Sequence, residues 1–393
     1  MLNKRIVKIA LPVAIGALAL SACGSDDGGG GSAGGDGGGG GSFTIAYQGP
    51  LSGPNADLGI NMENGVKLAI KDANESGDYD VTFDYLGADD RGEPGQATSA
   101  AQLVIDNSDV IAVVGPAFSG AANVAAPVYG EAELTALSPS ATNPDLTEQG
   151  FPTFLRGVPN DAEQGAAIAD FFVSEGVEKA VVIDDLGDYA VGLANVIEEN
   201  LDGAGIEVQR EQLPENTVDH SSIARTVMQS STDAVVYTGY YSQAAPLAVK
   251  LSEQGYDGIG LGGDGVKDPE FVNLASGGAA EGWYLSCPCR DLTEDEVGQG
   301  FTERYEAEYN RAPGTYSPEA YDAAMMIIEA VNELGDSADR ASVHETVAQG
   351  EHDGVAKTLS FDDKGEYAGS GIYIYQVEEG EIVSRGNVED LVG

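Results

Sequence analysis

The sequence predicts an α/β protein of two doubly wound, parallel-sheet lobes. From residue 43 onward, short β-branched runs alternate with stretches of helical period, a pattern typical of βαβ units. The alternation restarts after "FPTFLRGVPND" at residues 151–161. About 350 residues follow the first 42, too many for one ordinary hydrophobic core. Together these observations favour two lobes over one.

The first series of elements ends in an unusual segment. Hydrophobic Leu134 and Leu137 indicate a buried strand, and "LSPSATNPDLT" (137–147) continues it with small hydroxyl residues. Such residues at a strand end predict that something small and polar is held there. The elements predicted before this segment are strands in 43–53, 80–87 and 109–116 and helices over 62–73, 97–105 and 121–131.

The second series repeats the pattern and then departs from it. The segment "EGWYLSCPCRD" (281–291) breaks the rhythm, and a helix-rich part follows from Glu296 to Leu334. Alternating apolar and polar residues around Glu379-Gly380 predict a terminal β-hairpin. The preceding elements are predicted as helices over 162–175, 189–201 and 243–254 and strands in 179–185, 233–240 and 258–265.

The first 22 residues have the layout of a secretory signal. Lys4, Arg5 and Lys8 precede an apolar stretch too short for a comfortable membrane span, and "LSAC" closes it at Cys23. Those four residues resemble a bacterial lipobox, in which the cysteine is lipidated; an ordinary cleaved signal is the alternative. Residues 23–42 are glycine-rich and predict a flexible tether with a reach of about 25 Å. The expected location is therefore extracytoplasmic, with lipid on Cys23 holding the protein to the outer face of the membrane.

The formal net charge of −46 excludes one class of partner. So acidic a surface repels nucleic acid, and we interpret the acidity as a source of solubility. Beyond the tether, Cys287 and Cys289 are the only cysteines, spaced as "CPC". A local disulfide is the favoured interpretation in an extracellular setting, with metal binding and two free thiols as alternatives.

The motifs of common enzymes are missing from the sequence. None of the three histidines, His220, His344 and His352, stands beside a GxSxG serine, and neither an HExxH pair nor a Walker A lysine motif occurs. "GLGGDG" (260–265) spells GxGxxG, but it comes late in its lobe and places Asp264 where phosphates would lie. We therefore expect no enzymatic activity, no cofactor and no metal.

Polar residues follow six of the predicted strands, where parallel sheets hold their ligands. Asp264 would suit an ammonium group, and Ser119 at a helix start would suit a carboxylate. Together they would bind the two ends of an amino acid; a helix cap at Ser119 and a turn at Asp264 are the structural alternatives. The six strand ends are marked by Ser52, Ser119, Ser140 to Thr142, Tyr189, Tyr240 and Asp264.

Seven motifs resemble, in order, those of substrate-binding proteins of branched-chain amino acid ABC importers, which have the type I periplasmic-binding-protein fold. The resemblance extends from Phe43 to the C-terminus. It implies lobes of residues 43–156 plus 287–354 and 157–286 plus 355–393, joined by crossovers near Arg156, Ser286 and Gly354. The motifs are "GPLSGPNADLGINMENGVKLAIKDAN", "VGPAFSGAA", "LSPSATNPDLT", "FLRGVPND", "LGDYAVGLA", "YTGYYSQAA" and "GGDGVKD".

The resemblance also implies roles for individual residues. The loop of Ser140, Ala141 and Thr142 would line the ligand cleft, with the Ser140 carbonyl and Thr142 hydroxyl meeting the ammonium. The Thr142 N–H and Ser119 would meet the carboxylate. Asp264, where relatives commonly have glutamate, would pair with the ammonium. The remaining positions are Tyr189 and Tyr240, which approach the ligand on closure, and Leu58 and Tyr316, which line the side-chain pocket.

The function implied is a solute-binding subunit that captures leucine, isoleucine or valine by lobe closure. It would dock as a monomer on a membrane permease with its ATPase. A binder of short amides or urea, or a ligand-sensing module, is the alternative on the same fold. A secreted enzyme is a third hypothesis, disfavoured by the missing catalytic motifs.

Overall fold

The computed structural model describes residues 41–393. The predicted signal sequence, Cys23 and nearly all of the predicted tether lie outside these residues. The first strand begins at Ser42, one residue before its predicted start. Among residues 41–393, no helix is both long enough and apolar enough to cross a membrane.

The first lobe is built on a five-stranded parallel sheet in the order β2-β1-β3-β4-β5. Every residue of β3 is buried, as expected for a strand with helices on both faces. The elements are β1 (Ser42–Gly49), α1 (Ala56–Ser76), β2 (Thr82–Asp89), α2 (Pro94–Ile105), β3 (Val110–Val114), α3 (Ser119–Glu131), β4 (Thr135–Ser138), α4 (Asp145–Glu148) and β5 (Phe154–Arg156).

The second lobe carries a seven-stranded sheet in the order β14-β13-β10-β9-β8-β6-β7. Its first five strands in sequence, β6 to β10, pair in parallel. The elements up to β10 are α5 (Asp161–Ser174), β6 (Lys179–Asp184), α6 (Asp188–Ala204), β7 (Glu207–Gln212), α7 (Ser221–Ser230), β8 (Ala234–Tyr237), α8 (Tyr241–Glu253), β9 (Ile259–Gly262), α9 (Pro269–Leu274) and β10 (Tyr284–Cys287).

The chain then returns to the first lobe, where helix α11 packs along α1. Asp339 and Ser342 form a capping box that starts α12. The elements here are α10 (Glu296–Tyr309), α11 (Ser317–Leu334), α12 (Arg340–Gln349), β11 (His352–Asp353) and β12 (Thr358–Leu359). Short 3-10 turns occupy Asp264–Val266, Ser276–Gly278, Leu292–Glu294 and Gly335–Ser337.

The last strands complete the second sheet as an antiparallel hairpin. Strand β13 (Tyr373–Glu378) pairs with β10 and with β14 (Glu381–Asn387), and α13 (Val388–Val392) ends the chain. Glu379 and Gly380 both have positive φ angles, 52° and 82°, as the tight two-residue turn requires. The predicted α/β class with two parallel-sheet lobes is confirmed, and so is the hairpin; the lobe boundaries at 156, 286 and 354 stay predictions.

Five strands were not anticipated, namely β5, β7, β10, β11 and β12. Strand β7, "EVQREQ", carries charged residues on an edge of the second sheet, so it lacks the apolar run of a buried strand. Strand β10 lies within "EGWYLSCPCRD", where the sequence pattern breaks, and it connects the parallel strands to the hairpin. The Sγ atoms of Cys287, its last residue, and Cys289 are joined by a disulfide bond of 1.97 Å.

Candidate functional site

A small cavity lies between the two lobes, beside strand ends of both sheets. Its volume is about 20 Å³, which is room for about one water molecule, so a larger ligand enters only when the lobes separate. The wall is formed by Leu58, Met62, Ala117, Phe118, Ser119, Ser140, Tyr189, Tyr240, Asp264, Gly265 and Tyr316.

One polar part of the wall suits an anion. Ser119 is the first residue of α3 and is 1% exposed. Its hydroxyl accepts a hydrogen bond from the Asn143 N–H at 3.3 Å and does not cap the helix, since Phe118 occupies the N-cap position without a side-chain hydrogen bond. The N–H groups at the start of a helix favour a carboxylate.

The other polar part suits a cation. Asp264 is 4% exposed, and its two carboxylate oxygens accept hydrogen bonds from the Tyr189 hydroxyl at 2.7 Å and the Tyr316 hydroxyl at 2.8 Å. Burial raises the pKa of Asp264, an effect that these two hydrogen bonds oppose. Burial and the nearby charge of Asp264 also raise the pKa of Asp161 well above its usual range. The raised pKa values mean that the ionised form of each acid is costly without a partner. A positive group beside Asp264 would therefore be stabilised.

The rest of the wall is apolar and aromatic. Leu58 and Met62 come from α1, and Phe118 stacks on Tyr240 across the lobes with ring centroids 4.3 Å apart. The Tyr240 ring also lies 5.2 Å from that of Tyr189. An apolar ligand side chain would be surrounded here on several sides.

Seven of the predicted site residues share this cavity, and three other candidates do not line it. The Ala141 carbonyl is bonded by Arg156 Nη1 at 2.7 Å, and the Thr142 carbonyl accepts from the Asp161 N–H at 2.9 Å. Ser52 lies elsewhere, with its hydroxyl 2.6 Å from Asp89 Oδ2. The seven residues in the wall are Leu58, Ser119, Ser140, Tyr189, Tyr240, Asp264 and Tyr316.

Four wall residues were not predicted, namely Met62, Ala117, Phe118 and Gly265. Phe118 stands directly before Ser119 in "VGPAFSG", and Met62 follows Leu58 by one helical turn, so spacing alone would have suggested both. Nothing in the sequence brings Asp161 to Asp264, because that proximity depends on the packing of α5.

Arg156 supports the loop that follows β4. It is fully buried, and its guanidinium donates to the Ala141 and Asn143 carbonyls at 2.7 and 2.8 Å. Its Nε lies 2.8 Å from Glu366 Oε1, which balances the buried charge. The loop with Ser140 is thereby held by a residue outside the cavity.

Hydrogen bonds also join the lobes outside the cavity wall. Asn143 Nδ2 donates to the Asp188 carbonyl at 2.7 Å in an exposed position. Asn61 Nδ2 donates to Asp268 Oδ2 at 3.2 Å in a buried one. Closure of the lobes is therefore stabilised by direct contacts besides the cavity wall.

The GxGxxG pattern has a packing explanation. A Cβ on Gly260 would lie 2.6 Å from Trp283 Cε2, so the indole requires glycine there. Asp264, inside the same pattern, has its carboxylate bonded to two tyrosines. In residues 41–393, no group of three or more His, Cys, Asp or Glu side chains is arranged to hold a metal ion.

Comparison with known proteins points to one family. A family model described as "Periplasmic binding protein" matches residues 42–381. The Leu/Ile/Val-binding protein BraC3 of Rhizobium johnstonii is 28% identical over 347 residues, which cover 87% of this chain and 93% of that protein. The leucine-specific-binding protein of Salmonella typhimurium is 28% identical over 338 residues, covering 84% and 90%.

Solved structures share the fold over the same region. A leucine-binding protein from Thermotoga maritima superposes with a TM-score of 0.81 at 26% identity, covering 88% of this chain and 98% of that one. A branched-chain amino acid transporter substrate-binding protein from Streptococcus pneumoniae, solved with isoleucine, gives a TM-score of 0.80 at 27% identity, covering 87% and 97%. The predicted resemblance is confirmed, and the chain belongs to the periplasmic binding protein family.

Proposed function

We propose that this protein is the lipid-anchored, extracytoplasmic solute-binding subunit of an ABC importer and captures leucine, isoleucine or valine. One observation carries the proposal: a single interlobe cavity combines a helix start, which suits an anion, with a buried acid and an apolar wall. Ser119 would bind the carboxylate, Asp264 the ammonium, and Leu58, Met62 and Phe118 the side chain. The names of the relatives reported above support the same ligand class.

Lobe closure would couple capture to delivery. Ser119 and Ser140 belong to the first lobe, whereas Tyr189, Tyr240 and Asp264 belong to the second. A ligand that touches both groups binds the closed form better than the open form and shifts the population toward it. The closed form, as a monomer, would dock on a membrane permease with its ATPase.

The membrane anchor is proposed from the sequence alone. Lipid on Cys23, with residues 24–42 as tether, would hold the folded part near the membrane. Replacing Cys23 with serine should move the protein from the membrane fraction to the soluble fraction without changing its ligand affinity. A protein that stays in the membrane fraction after Cys23→Ser would refute lipid anchoring through this residue.

The ligand is tested by thermal unfolding of the protein after bound ligand has been stripped by unfolding and refolding. The panel comprises the common amino acids, short amides and urea. A ligand that binds only the native state adds about 2.7 kcal/mol at a hundredfold excess over its Kd, which gives a clear rise in Tm. We expect that rise with leucine, isoleucine or valine. A response to amides or urea alone would overturn the roles of Ser119 and Asp264.

A further inference from the structure

A second cavity of about 330 Å³ lies beside the disulfide, and the proposed function makes no use of it. Tyr316 forms part of its wall and also part of the wall of the smaller cavity described above. Lys267, Tyr375 and Ser384 contribute from the second lobe, and Thr302 and Glu319 from α10 and α11. The volume is within the range of sites for small organic molecules.

Two cations line this cavity, namely Arg290, which forms an ion pair with Asp295, and Lys267. The Lys267 Nζ lies 4.2 Å from the centre of the Tyr375 ring, a cation–π contact. Within residues 41–393, it forms no ion pair with an acid, although the chain has 65 acidic residues and only 19 lysines and arginines. Burial lowers the pKa of Lys267, against the opposing charges of Glu319, Asp268 and Asp291. An anion in the cavity would supply the partner that Lys267 lacks.

Two acids of the cavity wall, Glu319 and Asp291, contact groups other than Lys267, although neither Glu319 carboxylate oxygen accepts a hydrogen bond within the described residues. Glu319 Oε1 lies 3.7 Å from Lys357 Nζ. The Asp291 carboxylate accepts hydrogen bonds from the N–H of Thr293 at 2.9 Å and from its hydroxyl at 2.8 Å. In the part of the chain that the structure describes, neither acid forms an ion pair with Lys267.

The remaining wall suits a small apolar body. Pro269, Pro313, Pro318, Leu292 and Ile382 face the cavity, and the Ser384 hydroxyl is buried without a hydrogen-bond partner in the described part of the chain. A branched or cyclic hydrocarbon group would remove this apolar surface from water.

We infer that this cavity binds a small organic carboxylate, whose charge pairs with Lys267 and whose apolar part packs against the prolines and Ile382. The ligand would touch both lobes, since Lys267 and Ile382 come from one and Pro313 and Pro318 from the other. Its occupant would therefore favour the closed form in addition to any amino acid in the smaller cavity. The inference does not depend on which ligand the smaller cavity takes.

The probe is sodium 3-methylbutanoate, titrated calorimetrically into the full-length protein at millimolar concentrations. We expect Lys267→Met to lower the association constant about tenfold or more, because the charged contact is lost. Lys364→Met, which removes an exposed lysine paired with Glu148, is the matched control and should bind like the parent.

Three outcomes would overturn the inference. They are the absence of a binding signal with 3-methylbutanoate in the parent protein, full affinity in Lys267→Met, and an equal loss of affinity in the control Lys364→Met. If Lys267→Met does not fold, Thr302→Phe tests the same inference, because its larger side chain fills the cavity from α10. Loss of binding in that folded variant supports the inference, and retention refutes it.

Discussion

Replacing Asp264 with asparagine should separate ligand affinity from the stability of the free protein. The substitution removes the negative charge proposed to meet the ammonium, at a position only 4% exposed. Breaking a buried charge pair by changing one partner costs about 2–5 kcal/mol, which corresponds to a loss of affinity of about 30-fold to 5,000-fold. The stability of the ligand-free protein should not fall.

The reason lies in the raised pKa of Asp264. A folded-state pKa above the unfolded value means that ionisation of this group destabilises the folded protein at neutral pH, by about 1.4 kcal/mol for each unit of the shift. Asparagine has no such charge and still offers an oxygen to one of the two tyrosine hydroxyls. The Tm of the free Asp264→Asn protein should therefore equal or exceed that of the parent.

The assay combines calorimetric titration of leucine with thermal unfolding in its absence. Asp185→Asn is the matched control, because Asp185 is another buried acid of the second lobe, with a pKa raised to about 6 by burial, and it lies outside the cavity wall. That variant should retain its affinity for leucine. An Asp264→Asn protein that binds leucine as tightly as the parent would show that Asp264 does not meet the ammonium.

Three further predictions concern pH, the loop support and the interlobe stack. The affinity for leucine should fall as the pH is lowered through the raised pKa of Asp264, by up to about tenfold per pH unit, because protonation removes the charge that the ammonium needs. Calorimetric titration at several pH values would measure this dependence, and the Asp264→Asn variant should lack it. Arg156→Met should lower the free energy of unfolding, measured in urea, by about 3–5 kcal/mol, because it leaves buried carbonyls and Glu366 without their partner. A change below about 1 kcal/mol would contradict the role of Arg156 in supporting the loop. Phe118→Ala should weaken leucine binding about twofold to tenfold by removing the stack on Tyr240, and unchanged affinity would count against a role in closure.

Much of the architecture followed from local patterns. The alternation of strand and helix predicted the parallel sheets, and "EEG" between alternating residues predicted the terminal hairpin, because a tight turn and period-two patterning are properties of short segments. Strand β7 escaped because a polar edge strand lacks an apolar run. Strand β10 was not predicted because four residues ending at a disulfide are too few to show the hydrophobic period of a strand.

The cavity wall was predicted less completely than the fold. Residues directly after strands, such as Ser119 and Asp264, could be placed because parallel strands direct their ends to a common edge. Ala141 and Thr142 lie in the right loop, yet their carbonyls are bonded to Arg156 and to the N–H of Asp161. Which atoms of a loop face a cavity depends on such long-range partners, and local sequence does not encode them.

Two of the hydrogen bonds that join the lobes differ in their access to water, and this difference predicts an order for release of the ligand. The exposed pair of Asn143 and Asp188 can exchange its partner for water at little cost. The buried pair of Asn61 and Asp268 would leave unsatisfied polar groups if it broke before solvent arrived. Opening should therefore begin with the hydrogen bond of Asn143, and the buried hydrogen bond of Asn61 should break only later. The residence time of a ligand would then depend on how far that opening must travel before water reaches the buried pair.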